Sequence, residues 1–460
     1  MHTFSVVKSV VCLVLLAAVS GSVAQPLSED EKYTLGDLGG PYDRFGGQLV
    51  LTDEYLITSS EDYSDGDAGE IWVYDRVTHS VVYHLLPPTR YNAGAFGIQL
   101  SVHGDVLVTT SFDRDTDGSR QVIIYVYDLH TGMLVADFVS PNNNGNTGYN
   151  TRLLKVATNG HQLAVLGRDS RGYTVFVYDL ATGDELWTFH EHIDSPAGDS
   201  AELTGPILMN DDLLVVGMPG DDSNSLRRGL VFVYDLQSGD TVYTLAPSDM
   251  ISEGIFGVAM AMHGDDLLVS APEANAPTTP DSIGVVYLFD LSTGDERFKI
   301  SQPEWDTSWR LERGFGHGVH LSDKYIIVGS PQANGVSTGT GLVYLFDRVT
   351  GEFIATLSAS DGDLDDLFGY ELAVYESEAF VTALGDEQDG NLSGSIYKYS
   401  SLPCARADLA DPRYELNDAD VYSFLDLMAT QDLYADFNND GTLNFFDVSA
   451  FLTAYNAGCP

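Results

Sequence analysis

The sequence predicts an all-β fold, a seven-bladed β-propeller of four-stranded blades, followed by a small helical module at the C-terminal end. Three observations predict it. A Phe-Gly pair recurs at Phe45-Gly46, Phe96-Gly97, Phe256-Gly257, Phe315-Gly316 and Phe368-Gly369. A second landmark, a short aromatic and aliphatic run, keeps the same step. Beyond residue 402 both landmarks stop and apolar residues fall into a helical period.

The second landmark sets the count. It stands at Trp72-Val73-Tyr74-Asp75, Tyr125-Val126-Tyr127-Asp128, Phe176-Val177-Tyr178-Asp179 and Phe232-Val233-Tyr234-Asp235. It continues at Tyr287-Leu288-Phe289-Asp290, Tyr344-Leu345-Phe346-Asp347 and Tyr397-Lys398-Tyr399-Ser400, which makes seven units. Two units have lost the Phe-Gly pair, near Tyr149-Asn150 and Leu203-Thr204. The steps run from 51 residues (Phe45 to Phe96) to 59 (Phe256 to Phe315). Abundant glycine (45) and tyrosine (25) suit short strands joined by tight turns.

Each unit divides into four strand-like runs. In the fifth these are Gly257–Met262, Leu267–Ser270, Val285–Asp290 and a run opened by the turn Ser292-Thr293-Gly294-Asp295. A small sheet with two apolar faces cannot bury both alone. Packing such sheets around an axis buries them and leaves only short edges. The last unit ends at Tyr399 without its fourth run. Near the N-terminus, Tyr33-Thr34-Leu35 ends ten residues before Phe45, much as Tyr243-Thr244-Leu245 ends eleven before Phe256. The N-terminal run is therefore expected to supply the outer strand of the last blade.

The repeating order resembles the bacterial FG-GAP repeat over roughly residues 32–402. Its elements are Phe-Gly, an apolar strand, a Gly-Asp turn, a Leu-Val-Val-Gly-like strand and Gly-x-Val-Tyr-x-Phe-Asp. The resemblance implies a propeller similar to that of integrin α chains. Integrin-type repeats often carry a calcium loop between the first two strands. Here that connection is a short turn, as at Gly104-Asp105 or Asp211-Asp212, so calcium does not carry over to it.

The N-terminus reads as an export signal. Lys8 precedes the apolar run Val10 to Val19, and Gly21, Ser22 and Ala24 fit a cleavage site near Ala24. The run is too short for a membrane span. This divides the chain into a signal peptide (1–24), a propeller (25–402) and a C-terminal module (403–460), and implies a secreted or cell-surface protein. With 22 basic and 68 acidic residues, the net charge of −46 argues against nucleic acid and anionic membranes as partners. Hydrophobic content of 44% is ample for a core. Cys12 leaves with the signal. Cys404 and Cys459 bracket the module and predict a disulfide in an oxidising compartment.

The module carries the clearest candidate site. Asp436-Phe437-Asn438-Asn439-Asp440-Gly441-Thr442-Leu443-Asn444-Phe445-Phe446-Asp447 has side-chain oxygens at positions 1, 3, 5, 9 and 12 and glycine at 6. That is the EF-hand calcium spacing, because Ca²⁺ takes six to eight hard oxygen ligands from alternate residues of a tight loop. Asp436, Asn438, Asp440 and Asp447 would bind through side chains, Thr442 through its carbonyl, and Asn444 directly or through water. Phe445, Val448, Phe451, Leu452 and Tyr455 fall on one face of the helix that follows. An Asp at position 12 in a half-motif resembles a dockerin, and Phe445–Leu452 resembles C-terminal modules of exported planctomycete proteins. Dockerins carry two loops. The first here, with Asp408, Asp411, Asn417 and Asp420, is degraded by Ala410, Pro412 and one extra residue, leaving a weak site at most.

Asp113, Asp115 and Asp117, followed by Gly118, repeat the spacing between two strands of the second blade without a closing carboxylate. They form a weaker candidate against an acidic surface turn. His190-Glu191-His192 has no third metal ligand in view. His103 and His263 hold matching turn positions, and His317 and His320 are expected to pack beside Phe315-Gly316. No G-x-S-x-G elbow, H-E-x-x-H, phosphate loop or dinucleotide fingerprint occurs. The expectation is a non-catalytic binding or scaffolding propeller, docked through a Ca²⁺-ordered module to an extracellular protein or a cell-surface glycan. The alternative is an extracellular polysaccharide-degrading enzyme with a carboxylate pair on the propeller. A quinoprotein-like dehydrogenase fits poorly with only four tryptophans.

Overall fold

Strands with apolar residues at consecutive positions have two faces to bury. The chain meets that need in this computed structural model with seven four-stranded antiparallel sheets arranged as a ring. The structure describes residues 27, 29–34, 42–60, 69–88, 96–114, 120–139, 155–169, 172–191, 205–219, 229–249, 254–275, 283–303, 314–334, 339–387, 392–410, 416–438 and 441–459. The expected signal peptide lies outside them.

The innermost strands are Phe45–Leu51, Leu100–His103, Lys155–Thr158, Ile207–Met209, Met260–His263, Val319–Leu321 and Phe368–Tyr375. Each touches the next around the whole circle. Every blade-to-blade interface holds its own apolar cluster, fed by alternate residues of one strand. Val285, Tyr287 and Phe289 of the fifth blade pack toward the fourth, whereas Val286 and Leu288 pack toward the sixth. The last cluster joins Phe45, Leu56, Trp72 and Tyr74 of the first blade to Ala373, Phe380 and Ile396 of the seventh, closing the ring.

The N-terminal strand Glu31–Tyr33 completes the seventh blade, with Glu31 opposite Lys398 and Tyr33 opposite Ile396. Partner and blade are as expected, but the tripeptide match is two residues out. In the fourth blade Tyr243 lies opposite Val233, whose counterpart Lys398 faces Glu31, not Tyr33. An even offset keeps every side chain on its own face, so the sequence pattern tolerates it. Side chains confirm the register. In the fifth blade Tyr287 OH and Lys299 Nζ both hold Asp249, at 2.9 and 2.6 Å, and Ser248 N donates to Glu296 at 3.1 Å. In the seventh, Tyr397 OH and Lys32 Nζ hold Asp361, at 2.9 and 2.7 Å, and Ser360 N donates to Glu29 at 2.9 Å. Upstream, Leu27 bridges to Leu357 on the outer strand of the sixth blade.

The Phe-Gly pair has a steric cause. Its carbonyl lies against a glycine that opens the third strand of the preceding blade. A Cβ at Gly69, Gly229, Gly284, Gly341 or Gly394 would fall between 2.0 and 2.3 Å from the carbonyl oxygen of Phe96, Phe256, Phe315, Phe368 or Phe45. The second and third blades have Val122 and Tyr173 at that place, and the blades that follow them are the two without Phe-Gly. Glycine and Phe-Gly are therefore lost together.

The turns after the first and third strands are short and share one face of the ring. After most third strands an Asp carboxylate caps the turn: Asp75, Asp128, Asp179, Asp235 and Asp347 accept the backbone N–H three residues on at 2.6–2.8 Å. These bonds hold Asp75, Asp128, Asp179 and Asp235 below the usual carboxylate range. The longer connections, after the second and fourth strands, leave from the opposite face, where the Phe-Gly pairs lie.

The C-terminal region holds the helices Asp418–Thr430 and Phe445–Ala457, joined through a 3₁₀ turn, Leu433–Ala435. Phe424 and Phe451, one from each helix, stack at 4.1 Å with Phe437 edge-on to both. Val448 and Phe451 are buried as the helical period predicts. Phe445 is 65% exposed, because as the first helical residue it lies outside the helix–helix contact. The region rests on the outer strand of the sixth blade: Tyr434 OH donates to Ile354 O at 3.1 Å, and the Arg406 guanidinium lies near Phe353 and over Phe437.

Candidate functional site

Each helix of the C-terminal region is preceded by an acidic loop and starts the same way. Asn444 caps the second helix, its Oδ1 accepting from Phe446 N at 2.8 Å, while Asp447 Oδ2 accepts from Asn444 N at 2.7 Å. Asp447 Oδ1 also accepts from Asn438 N at 3.3 Å. At the other end of the loop, Asp436 Oδ2 accepts from Gly441 N at 2.7 Å, and Gly441 takes φ +74°. A side chain at that angle would be strained, which is the reason for glycine at position 6.

Asp436 and Asp447 are both buried, with their carboxylates within hydrogen-bonding reach of each other. Burial pushes Asp447 above its ordinary value, and Asp436 beside it pushes the same way against the backbone bonds from Asn444 and Asn438. Two buried like charges in contact are unfavourable unless a proton or a cation lies between them. This donor set fits a hard divalent cation. Asp436, Asn438 and Asp447 would face it through side chains and Thr442 through its carbonyl. Asn444 is engaged as the helix cap and donates Nδ2 to Thr442 O at 2.7 Å, which leaves it a water-mediated role. Asp440 lies outside the described residues. The main chain of Asp436 is held from the propeller side, where Arg406 Nη2 donates to its carbonyl at 2.8 Å.

The first loop has the same frame and a different centre. Asn417 caps the first helix, and Asp420 Oδ2 accepts from Asn417 N at 2.7 Å. Asp420 Oδ1 takes both Leu409 N and Ala410 N, at 2.7 and 2.8 Å. Three backbone donors thus satisfy a carboxylate that, in the second loop, meets another carboxylate. Buried Asp408 accepts from Cys404 N at 2.9 Å, and Asp411 lies outside the described residues. Cys404 and Cys459 are bonded, with Cα atoms 5.3 Å apart.

The remaining candidates scatter. Asp113 is not in a loop: it is the penultimate residue of the strand Val106–Arg114, opposite Gln121, because the hairpin extends further than its turn residues indicate. Asp115 and Asp117 lie outside the described residues. His190 Nδ1 approaches Thr174 Oγ1 at 3.2 Å within its sheet, and His192 is not described. His263 pairs with Asp323 at 2.8 Å, and His317, expected beside Phe315-Gly316, has its ring against Tyr370 of the seventh blade.

One set of residues escaped the sequence reading. The ladders align Leu49, Leu100, Val156, Ile207, Met260, Val319 and Leu372 at one level of the innermost strands. Immediately before them stand Gln48, Gln99, Lys155, Pro206, Ala259, Gly318 and Glu371, on the face of the long connections. Among these seven residues Glu371 is the one carboxylate. The available signal was the second residue after each Phe-Gly, polar in some units and small in others.

Comparison with known proteins agrees at the level of the repeat. The family profile described as FG-GAP repeat matches residues 352–399. No curated protein matches the chain. Among solved structures, the β-propeller domain of the Trilobed protease from Pyrococcus furiosus, described as having an open velcro topology, is similar at 10% identity and a TM-score of 0.42. That match covers 65% of this chain and 79% of the other. Among the described residues, no helix is long and apolar enough to cross a membrane. The chain is a seven-bladed β-propeller carrying an FG-GAP repeat, with two helices at its C-terminal end.

Proposed function

We propose that the protein is an exported, non-catalytic binding or scaffolding propeller, docked to an extracellular protein or cell-surface glycan by a calcium-ordered, dockerin-like C-terminal module. The observation that carries the docking half is the contact between the buried carboxylates of Asp436 and Asp447, in a loop with EF-hand spacing and glycine at its turn. Ca²⁺ between them would fix the loop and the start of the second helix. Phe445 and Phe446, 65% and 67% exposed, stand on that first turn and offer an apolar contact to a docking partner. Export is supported by the N-terminal apolar run and by the paired cysteines. Among the described residues at the innermost level of the propeller, Glu371 is the one carboxylate, which gives no support to a two-carboxylate hydrolase. The test is titration of the full chain with CaCl₂ by calorimetry after EDTA treatment. One ion bound per chain, abolished by Asp436→Ala, is expected. The absence of any calcium-dependent heat or stabilisation would remove the docking half of the function.

A further inference from the structure

The innermost strands border the centre of the ring, and the residues just after their Phe-Gly pairs lie toward the face of the long connections. There the seven equivalent residues form two arcs. Pro206, Ala259 and Gly318, of the fourth to sixth blades, bring no polar side chain. Glu371, Gln48, Gln99 and Lys155, of the seventh, first, second and third, make a continuous polar arc. The two glutamines share a conformation. Gln48 Nε2 donates to Gly47 O at 2.9 Å and Gln99 Nε2 to Ile98 O at 2.6 Å, each to the carbonyl just before it. Gln48 Nε2 also reaches Glu371 Oε1 at 3.3 Å. Both amides thus spend a donor on the adjoining backbone and keep Oε1 as an acceptor.

The backbone beneath is held in place. The ladder shifts register between Phe45 and Leu49 and between Phe368 and Leu372, bulges of the kind that re-aim a side chain. Thr58 Oγ1 donates to Gln48 O at 2.8 Å, and Thr382 Oγ1 accepts from Glu371 N at 3.0 Å. Beside Glu371, the Tyr370 ring lies 4.6 Å from the imidazole of His317.

We propose that this mouth of the channel binds a neutral, hydroxyl-rich ligand, the end of a glycan chain. The reasoning is chemical. A site rich in acceptors selects a ligand that donates, which means hydroxyl or ammonium groups. Glu371 and Lys155 sit at one level, three blades apart, with opposite charges, so the arc as a whole carries no net charge to recruit an ion. The Tyr370 ring, tilted 47° from the His317 imidazole, offers its own face to the C–H side of a sugar ring, and the small residues of the fourth to sixth blades leave space for it. This deepens the binding role proposed above and rests on it.

The test is calorimetric titration of the full chain with neutral hexasaccharides (β-1,4-glucan, β-1,4-xylan, β-1,4-mannan and β-1,3-glucan), with hexagalacturonate and spermidine as charged probes. Binding of a neutral hexasaccharide is expected, weakened about tenfold by Gln99→Ala and by Tyr370→Ala, the equivalent of one lost hydrogen bond or ring contact. Unfolding midpoints and the calcium response should stay at wild-type values. Glu371→Gln, which keeps shape and acceptor, should weaken binding less than Glu371→Ala. No binding of any neutral hexasaccharide, preference for a charged probe, or binding that folded variants leave intact would overturn the proposal. An intact calcium response alongside such a failure would sink the glycan site alone. Lost calcium binding with retained glycan binding would sink only the docking half of the function.

Discussion

Lys32 offers a direct test of how the ring is closed. Its ammonium lies 2.7 Å from Asp361 and 2.6 Å from Asp386, and the Lys32 and Asp386 side chains are only 16% and 6% exposed. Lys32→Met keeps most of the apolar stem and removes the charge, leaving the buried Asp386 carboxylate without its cation. Breaking a buried pair from one side costs about 3–5 kcal/mol. Asp361 is half exposed and water repays part of that, so about 2–3 kcal/mol is expected. Unfolding entropy of about 2.1 cal/mol/K per residue, over 460 residues, converts this to a fall of about 2–3 °C in the calorimetric midpoint. The internal control is Lys299→Met, the equivalent position in the fifth blade. Lys299 meets one carboxylate, Asp249, and is twice as exposed at 32%, so a shift below about 1 °C is expected. The pH dependence adds a second readout. Burial alone would lower the Lys32 pKa, but Asp361 and Asp386 outweigh it and hold it above the ordinary 10.5. A lysine with a raised folded pKa contributes in full below its unfolded value and loses that contribution as pH climbs through the folded one. The wild-type advantage over Lys32→Met should therefore be flat across neutral pH and shrink only above about pH 10.5. Equal shifts for the two lysines, or a difference that vanishes at neutral pH, would refute the reasoning.

Three further outcomes follow from the same geometry. Asp447→Asn should leave the EDTA-treated protein as stable as wild type or more so, because it removes one of two adjoining buried charges. It should also abolish the calcium-induced rise in midpoint, worth about 2.7 kcal/mol at a hundredfold excess over Kd. Reduction of Cys404–Cys459, separated by 55 residues, should destabilise the C-terminal region by about 4 kcal/mol in the chain-entropy treatment. Limited proteolysis followed by mass spectrometry would show the first new cuts after residue 403. Gly341→Ala places a Cβ 2.0 Å from Phe368 O and should lower stability by more than about 3 kcal/mol, whereas Val122→Ala, at the matching place in the second blade, should behave as an ordinary buried truncation of about 1–2 kcal/mol. Denaturant titration of both variants checks it.

The ring was legible because its cause is repeated. Phe-Gly, the turn residues and the strand landmark each reflect a local steric or hydrogen-bonding need, and their recurrence through a seven-unit chain makes the pattern hard to miss. Ring closure by the N-terminal run was legible from the unit that lacks a fourth strand. Its register was not, because a shift of two residues changes no face and leaves no mark in the alternation of side chains. Phe445 illustrates a similar limit: helical period places it on the buried face, but a helix end reaches past its partner. The strand that ends at Arg114 outruns its expected turn for want of a proline or glycine before Gly118. The acidic loop of the second helix could be read residue by residue, since its frame is local. What distinguishes it from the first loop is that Leu409 N also reaches Asp420 there, whereas Asp447 meets Asp436, a difference that only folding decides. The channel mouth depends on bulges and on neighbours from different blades, neither of which periodicity records.

The fit between a glycine and the phenylalanine of the following blade has an evolutionary corollary. A whole blade, cut at its own borders and inserted elsewhere, would bring a Phe-Gly made for one neighbour against the Val122 or Tyr173 of another. A segment cut just after one Phe-Gly and just after the next carries lock and key together and can be copied or deleted without misfit. Gain and loss of units should thus have proceeded in pieces that straddle two sheets, out of phase with the architecture they build.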